Sequence, residues 1–73
     1  MIDVRKVADE ADLIINGYAY TKDHDIIRVL NLNAPQKALV LNKNSEVIET
    51  SMDDIEIAIV LDYFQKNSRY MEV

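Results

Sequence analysis

His24 is the side chain of this sequence that could most readily do chemistry, because it stands between Asp23 and Asp25. An imidazole flanked by carboxylates can shuttle protons or help to hold a metal ion. Adjacent residues on a turn diverge, however, and the sequence offers neither a second histidine nor a cysteine to complete such a site. We interpret residues 23–25 as a solvated turn and keep His24 as a functional candidate.

A second reactive group is acidic and lies where the last predicted strand meets the second predicted helix. It comprises Glu49, Asp53, Asp54 and Glu56. Carboxylates at such spacing can bind a hard cation, but neither the spacing nor the loop glycine of an EF-hand accompanies them. Helix capping and solvation explain these residues more simply. The alternative hypothesis is that the protein is a metal-assisted or acid/base enzyme that uses Glu49, Asp53, Asp54 or His24.

Other catalytic motifs are missing from the sequence. A Ser-His-Asp triad would need the same single histidine as its base, and no Gly-x-Ser-x-Gly elbow is present. The single glycine, Gly17, excludes a glycine-rich loop that cradles phosphate. The sequence therefore predicts a protein that is not an enzyme and that needs no cofactor.

The size and composition of the chain further limit the kinds of protein that it can be. A chain of 73 residues predicts one small domain, residues 1–73, without room for a second core. Thirteen acidic residues against eight basic ones give a formal charge of −5, which disfavours direct binding of nucleic acid. The longest apolar stretch, residues 57–61, is far too short to cross a bilayer, and no signal-peptide pattern opens the chain. Together with the absence of cysteine, these features favour a soluble cytoplasmic protein.

The elements that position these residues begin with a helix predicted from about Asp3 to Asn16. Its apolar residues recur at steps of three and four: Val4, Val7, Ala8, Ala11, Ile14, Ile15 and Tyr18. Asp3 is the expected N-cap, and Asn16-Gly17 supplies a left-handed stop.

Four strands are predicted after this helix. Residues 18–21 are aromatic and suited to a strand, and residues 26–32 are apolar on both faces, as in a central strand. A turn follows at residues 33–36, where Pro35 removes a backbone donor. Residues 37–42 and 46–50 form a hairpin around a polar loop.

A second helix is predicted from about Met52 to Asn67, capped by Thr50 or Ser51. Its polar side includes Ala58, Asp62 and Lys66, which we expect to lie outside the core. The apolar arc covers about half the circumference, whereas a helix on one sheet needs a stripe of only about 100°. The apolar side chains outside that stripe must therefore pack against helix one or against another subunit. We expect residues 68–73 to form a frayed end.

These patterns predict a two-layer α+β domain of order α-β-β-β-β-α, in which both terminal helices pack on one face of a short antiparallel sheet. The preferred function is a small acidic interaction or regulatory module, either for a protein partner or as a homodimer. Met52, Ile59 and Tyr63 are the expected interface residues. The alternatives are the enzyme described above and an acidic mimic of nucleic acid that inhibits a nucleic-acid-binding protein.

Overall fold

A computed structural model describes residues 3–67. Within this range the chain folds as two helices and five strands. Their bounds are α1 Val4–Glu10, β1 Leu13–Ile15, β2 Tyr18–Asp23, β3 Ile26–Asn31, β4 Ala38–Leu41, β5 Val47–Thr50 and α2 Asp54–Asn67. The expectation for residues 68–73 lies outside the described residues. The predicted α+β class, with a helix at each end and an antiparallel sheet between, is confirmed.

The first helix is shorter than predicted. Asp3 does cap it, since its carboxylate accepts a hydrogen bond from the backbone N–H of Lys6 at 3.2 Å. The helix ends at Glu10, however, and Leu13–Ile15 form the extra strand β1. The prediction of a helix to Asn16 was therefore wrong.

Asn16-Gly17 is a hairpin turn rather than a helix stop. Both residues have positive φ angles, 49° and 84°, and they join β1 to β2 directly. A two-residue turn of type I′ requires this conformation at both positions, and Asn-Gly is its preferred sequence. The turn pairs Ile15 with Tyr18 and commits residues 13–15 to the sheet.

The sheet is an antiparallel meander in which the strands lie side by side in chain order, from β1 to β5. The prediction of a central strand at 26–32 is confirmed, because β3 is third of five. The predicted hairpin of β4 and β5 is also confirmed, with a bulge between Val40 and Leu41. β5 is an edge strand, and all of its residues are exposed.

α2 covers one face of the sheet and forms the core with it. The buried residues of this core are Tyr20, Val29, Leu39, Leu41, Met52 and Val60. The predicted range of α2 is confirmed to within two residues at its start. Asp53 rather than Thr50 or Ser51 caps it, since the Asp53 carboxylate accepts from the backbone N–H of Glu56 at 2.8 Å.

α1 lies on the opposite face of the sheet. Its residues Val7 and Glu10 line a groove together with Ala19, Leu30 and Ala38. These three residues are paired across β2, β3 and β4 and point away from the face that carries Tyr20, Val29 and Leu39. The expectation that both helices share one face was therefore wrong. No helix among residues 3–67 combines the length and apolarity needed to span a membrane.

Candidate functional site

One flank of α2 carries apolar side chains that the sheet does not cover. Ile55, Ile59 and Tyr63 follow one another at steps of four, so they form a stripe along the helix. Ile55 is 75% exposed and Ile59 is 40% exposed, while Tyr63 is half-buried against the core. We call these three residues the α2 stripe. These side chains are the part of the apolar arc of α2 that exceeds what the sheet can cover. α1 does not cover them, because α1 lies on the other face of the sheet.

A half-buried polar cluster lies beside the α2 stripe. The Glu56 carboxylate accepts a hydrogen bond of 2.8 Å from the Tyr18 hydroxyl and another of 2.9 Å from the Asn31 side-chain amide. The Tyr18 and Tyr63 rings meet with their centroids 6.4 Å apart. This cluster ties the first turn of α2 to the ends of β2 and β3, and it holds the stripe in place on the sheet.

Burial of the Tyr18 phenol, reinforced by its hydrogen bond to Glu56 and by the charge of that carboxylate, raises the pKa of Tyr18 to about 12. Burial also raises the pKa of Tyr20. Both phenols therefore remain protonated at neutral pH and act as hydrogen-bond donors. Neither has the lowered pKa that a tyrosinate nucleophile would require.

The two ends of α2 carry opposite charges. Asp54 and Glu56 lie in its first turn, just after the Asp53 cap, and Lys66 lies in its last turn. This arrangement complements the helix dipole. Lys66 also forms an exposed ion pair of 3.0 Å with Asp62. Ala58, Asp62 and Lys66 are exposed, which confirms that the polar side of α2 lies outside the core.

His24 lies in the tight turn between β2 and β3 with a φ of 56° and a side chain that is 96% exposed. Its Nε2 atom lies 3.7 Å from the Asp23 carboxylate, which also pairs with Arg28 at 3.2 Å. Asp23 is thus held by an arginine rather than directed to the imidazole. The imidazole therefore lies on a solvated turn.

The acidic candidates do not converge on one point. Glu49 lies on the exposed edge strand, Asp53 caps α2, and Asp54 lies exposed in its first turn. Across residues 3–67, no three side chains of histidine, cysteine, aspartate or glutamate come close enough to hold a metal ion.

Of the three expected interface residues, Met52 is only 6% exposed and belongs to the core, so it has little surface to offer a partner. Ile59 and Tyr63 lie on the α2 stripe. Sequence analysis missed Ile55, although its position four residues before Ile59 was a usable signal. It also missed the contact of Glu56 with Tyr18 and Asn31, because no local pattern links residues 38 and 25 positions apart.

Comparison with curated proteins found no match to this chain, and comparison with solved structures found none either. The profile of one protein family, in contrast, matches residues 1–71 of the 73-residue chain. The protein therefore belongs to that family, described as a family of unknown function (DUF7723).

Proposed function

We propose that this protein is a small, non-enzymatic interaction module that binds a second copy of itself through the α2 stripe. The observation that carries this proposal is the exposure of Ile55 and Ile59 on one flank of the helix, 75% and 40% respectively. Isoleucine side chains left in water at adjacent turns favour association, because roughly 25 cal/mol is gained for each Å² of apolar surface buried.

Charge favours an antiparallel arrangement of the two α2 helices. When Ile59 of one protomer faces Ile59 of its partner, Lys66 of each protomer comes opposite the acidic first turn of the other. This turn contains Asp54 and Glu56 and follows the Asp53 cap. Antiparallel packing also sets the two helix dipoles head to tail. The interface is isologous, as in most homodimers.

The interface has to extend beyond the two isoleucines. A stable interface buries about 800 Å² on each partner, which is more than two side chains provide. Tyr63 continues the α2 stripe, and the small exposed Ala58 on the adjoining polar side leaves room for a second helix to approach closely. We expect a dimer of micromolar affinity, in which association adds stability to a small core.

Sedimentation velocity over a concentration series from about 10 to about 500 micromolar tests this proposal. The wild-type protein should shift from monomer towards dimer, and the double variant Ile55→Ser/Ile59→Ser should remain monomeric. Ile14→Ser is the matched control, because Ile14 is also about half exposed, at 48%, but points to the other face of the sheet.

Circular dichroism of each variant verifies that it is folded. A wild-type protein that stays monomeric over the whole series contradicts self-association. A dimer that survives the double substitution, or one that Ile14→Ser disrupts equally, contradicts the assignment to the α2 stripe.

A further inference from the structure

The face of the sheet opposite α2 contains a groove of about 340 Å³. α1 forms one wall through Val7 and Glu10, and strands β2 to β4 form the floor. The floor residues that point into the groove are Ala19, Thr21, Arg28, Leu30, Ala38 and Val40. The volume falls within the range of roughly 300–1,000 Å³ that is typical of ligand sites.

The groove exists because small side chains flank a large one. Ala19 and Ala38 are the neighbours of Leu30 on the adjacent strands, and neither fills the space beside it. α1 packs against β2, so the side chains of β4 receive little cover from it. Val40 and Ala38 accordingly remain half-buried, although both are apolar.

Considering residues 3–67, the part of this face that α1 leaves uncovered is about as wide as one helix. Neighbouring strands lie about 4.8 Å apart, so β4 lies about 10 Å from β2, the strand beneath α1. Packed helices lie about 8–10 Å apart. A helix placed over β4 would therefore lie beside α1 at the normal helix-packing distance and would complete the layer.

The rim of the groove is acidic. Glu10 lies on the α1 side, and Glu49 lies on the other side, because it pairs with Val40 across β4 and β5 and shares its face. Among residues 3–67, Arg28 is the basic residue that lines the groove, and its charge is paired with the Asp23 carboxylate at 3.2 Å. A ligand that enters between Glu10 and Glu49 therefore meets negative charge on both sides.

We propose that this groove binds a basic amphipathic helix of a partner protein. The apolar side of that helix packs on Ala38 and Val40, which are only half-buried, and its lysine or arginine side chains pair with Glu10 and Glu49. This surface is separate from the α2 stripe, since the two lie on opposite faces of the sheet. The module then has one face for self-association and one for a partner.

The test uses designed helical peptides as probes. One labelled peptide carries leucines at positions i, i+3, i+4 and i+7 with lysines on both flanks, and a matched peptide replaces every lysine with glutamate. Fluorescence anisotropy should show that the basic peptide binds at least about tenfold more tightly than the acidic one at low salt, with the difference shrinking as salt screens the charges.

Variants of the groove separate the apolar contribution to peptide binding from the electrostatic one. Val40→Gln, which places a polar side chain on the floor, should weaken binding of the basic peptide at least about fivefold, as expected for a lost apolar contact. Glu10→Gln/Glu49→Gln should remove most of the preference for the basic peptide. Val47→Gln is the matched control and should bind like the wild type, because Val47 is exposed and pairs with Leu41, which belongs to the core on the α2 face.

Amide chemical shifts locate the bound peptide independently of any substitution. The proposal expects the largest changes at Ala38, Val40 and Glu49, which are the accessible residues of the groove and its rim. It is overturned if neither peptide binds, if the acidic peptide binds equally well, or if the changes centre on Ile55 and Ile59. Because the dimer is tested by sedimentation without peptide, failure of this proposal is distinguishable from failure of self-association.

Discussion

The hydroxyl group of Tyr20 donates a hydrogen bond of 3.0 Å to the backbone carbonyl of Val60, and both residues are fully buried. This bond joins the second strand to the middle of α2 across 40 residues of sequence. The Phe64 ring stacks on the Tyr20 ring with centroids 6.2 Å apart. Tyr20 thus satisfies its buried hydroxyl and sets the position of α2, and with it the α2 stripe, on the sheet.

Replacing Tyr20 by phenylalanine should lower the free energy of unfolding by about 1 kcal/mol, because it removes one buried hydrogen bond and keeps the ring. Tyr20→Ala should cost about 3–5 kcal/mol, since it also leaves a cavity under α2. Urea unfolding followed by circular dichroism measures both. Equal stability of Tyr20→Phe and wild type would show that the hydroxyl contributes nothing.

The stability of the fold should fall at alkaline pH. The folded state holds the proton of Tyr18 more tightly than the unfolded state, because the pKa of Tyr18 rises from 10.0 to about 12 on folding. This contribution is fully present below pH 10.0 and is lost as the pH rises through about 12. Urea unfolding at a series of pH values should show that the free energy of unfolding begins to decline near pH 10.0.

The Glu56 carboxylate is one cause of the raised pKa of Tyr18, after burial. Glu56→Gln should therefore move this pKa back towards 10.0 without restoring it fully, as followed by tyrosinate absorbance. Asp54→Asn is the matched control, because it removes an exposed carboxylate from the same helical turn that is not a partner of Tyr18. A similar shift in both variants would contradict the role of the hydrogen bond.

Gly17→Ala should destabilise the protein by about 1 kcal/mol or more, because the φ of 84° at this position is unfavourable for any residue with a Cβ atom. An added Cβ would also lie 2.7 Å from Nδ2 of Asn33. Thermal unfolding measures the loss. The double variant Gly17→Ala/Asn33→Ala removes the close contact but keeps the backbone strain, so it should recover only part of the stability.

Lys66→Glu should weaken the proposed dimer several-fold, because it places negative charge opposite the acidic first turn of the partner's α2. Sedimentation velocity at low and high salt measures the effect, which should shrink as salt screens the charges. Lys43→Glu is the control, since it makes the same charge change in the exposed loop between β4 and β5. Equal weakening by both would indicate general repulsion rather than antiparallel pairing.

Local patterns in the sequence were sufficient for most of the secondary structure. The apolar arc with acidic residues at its start predicted α2, and the polar loop at residues 43–45 between two short strands predicted the hairpin of β4 and β5. Helical periodicity also placed Ile59 on the surplus arc, and this side chain is 40% exposed in the structure. These features depend on residues close together in the chain, whose spacing is visible without a structure.

The pattern failed where one sequence suited two structures. Ile14 and Ile15 fit the apolar stripe of a longer helix, but together with Leu13 they also fit a strand with one outward residue. Pairing with β2 through the Asn16-Gly17 turn decided in favour of the strand. Leu13 and Ile15 then pack against the core, and Ile14 is left exposed at 48%.

By itself, the sequence determined the α+β class, the acidic charge and the wide apolar arc of α2. Only the tertiary structure decided which face each helix covers, and therefore that Ile55 and Ile59 stay exposed and that a groove opens beside α1. It also decided that Glu56 meets Tyr18 and Asn31. The physical reason is that burial and hydrogen bonding depend on which distant segments pack together, and periodicity along the chain does not encode that choice.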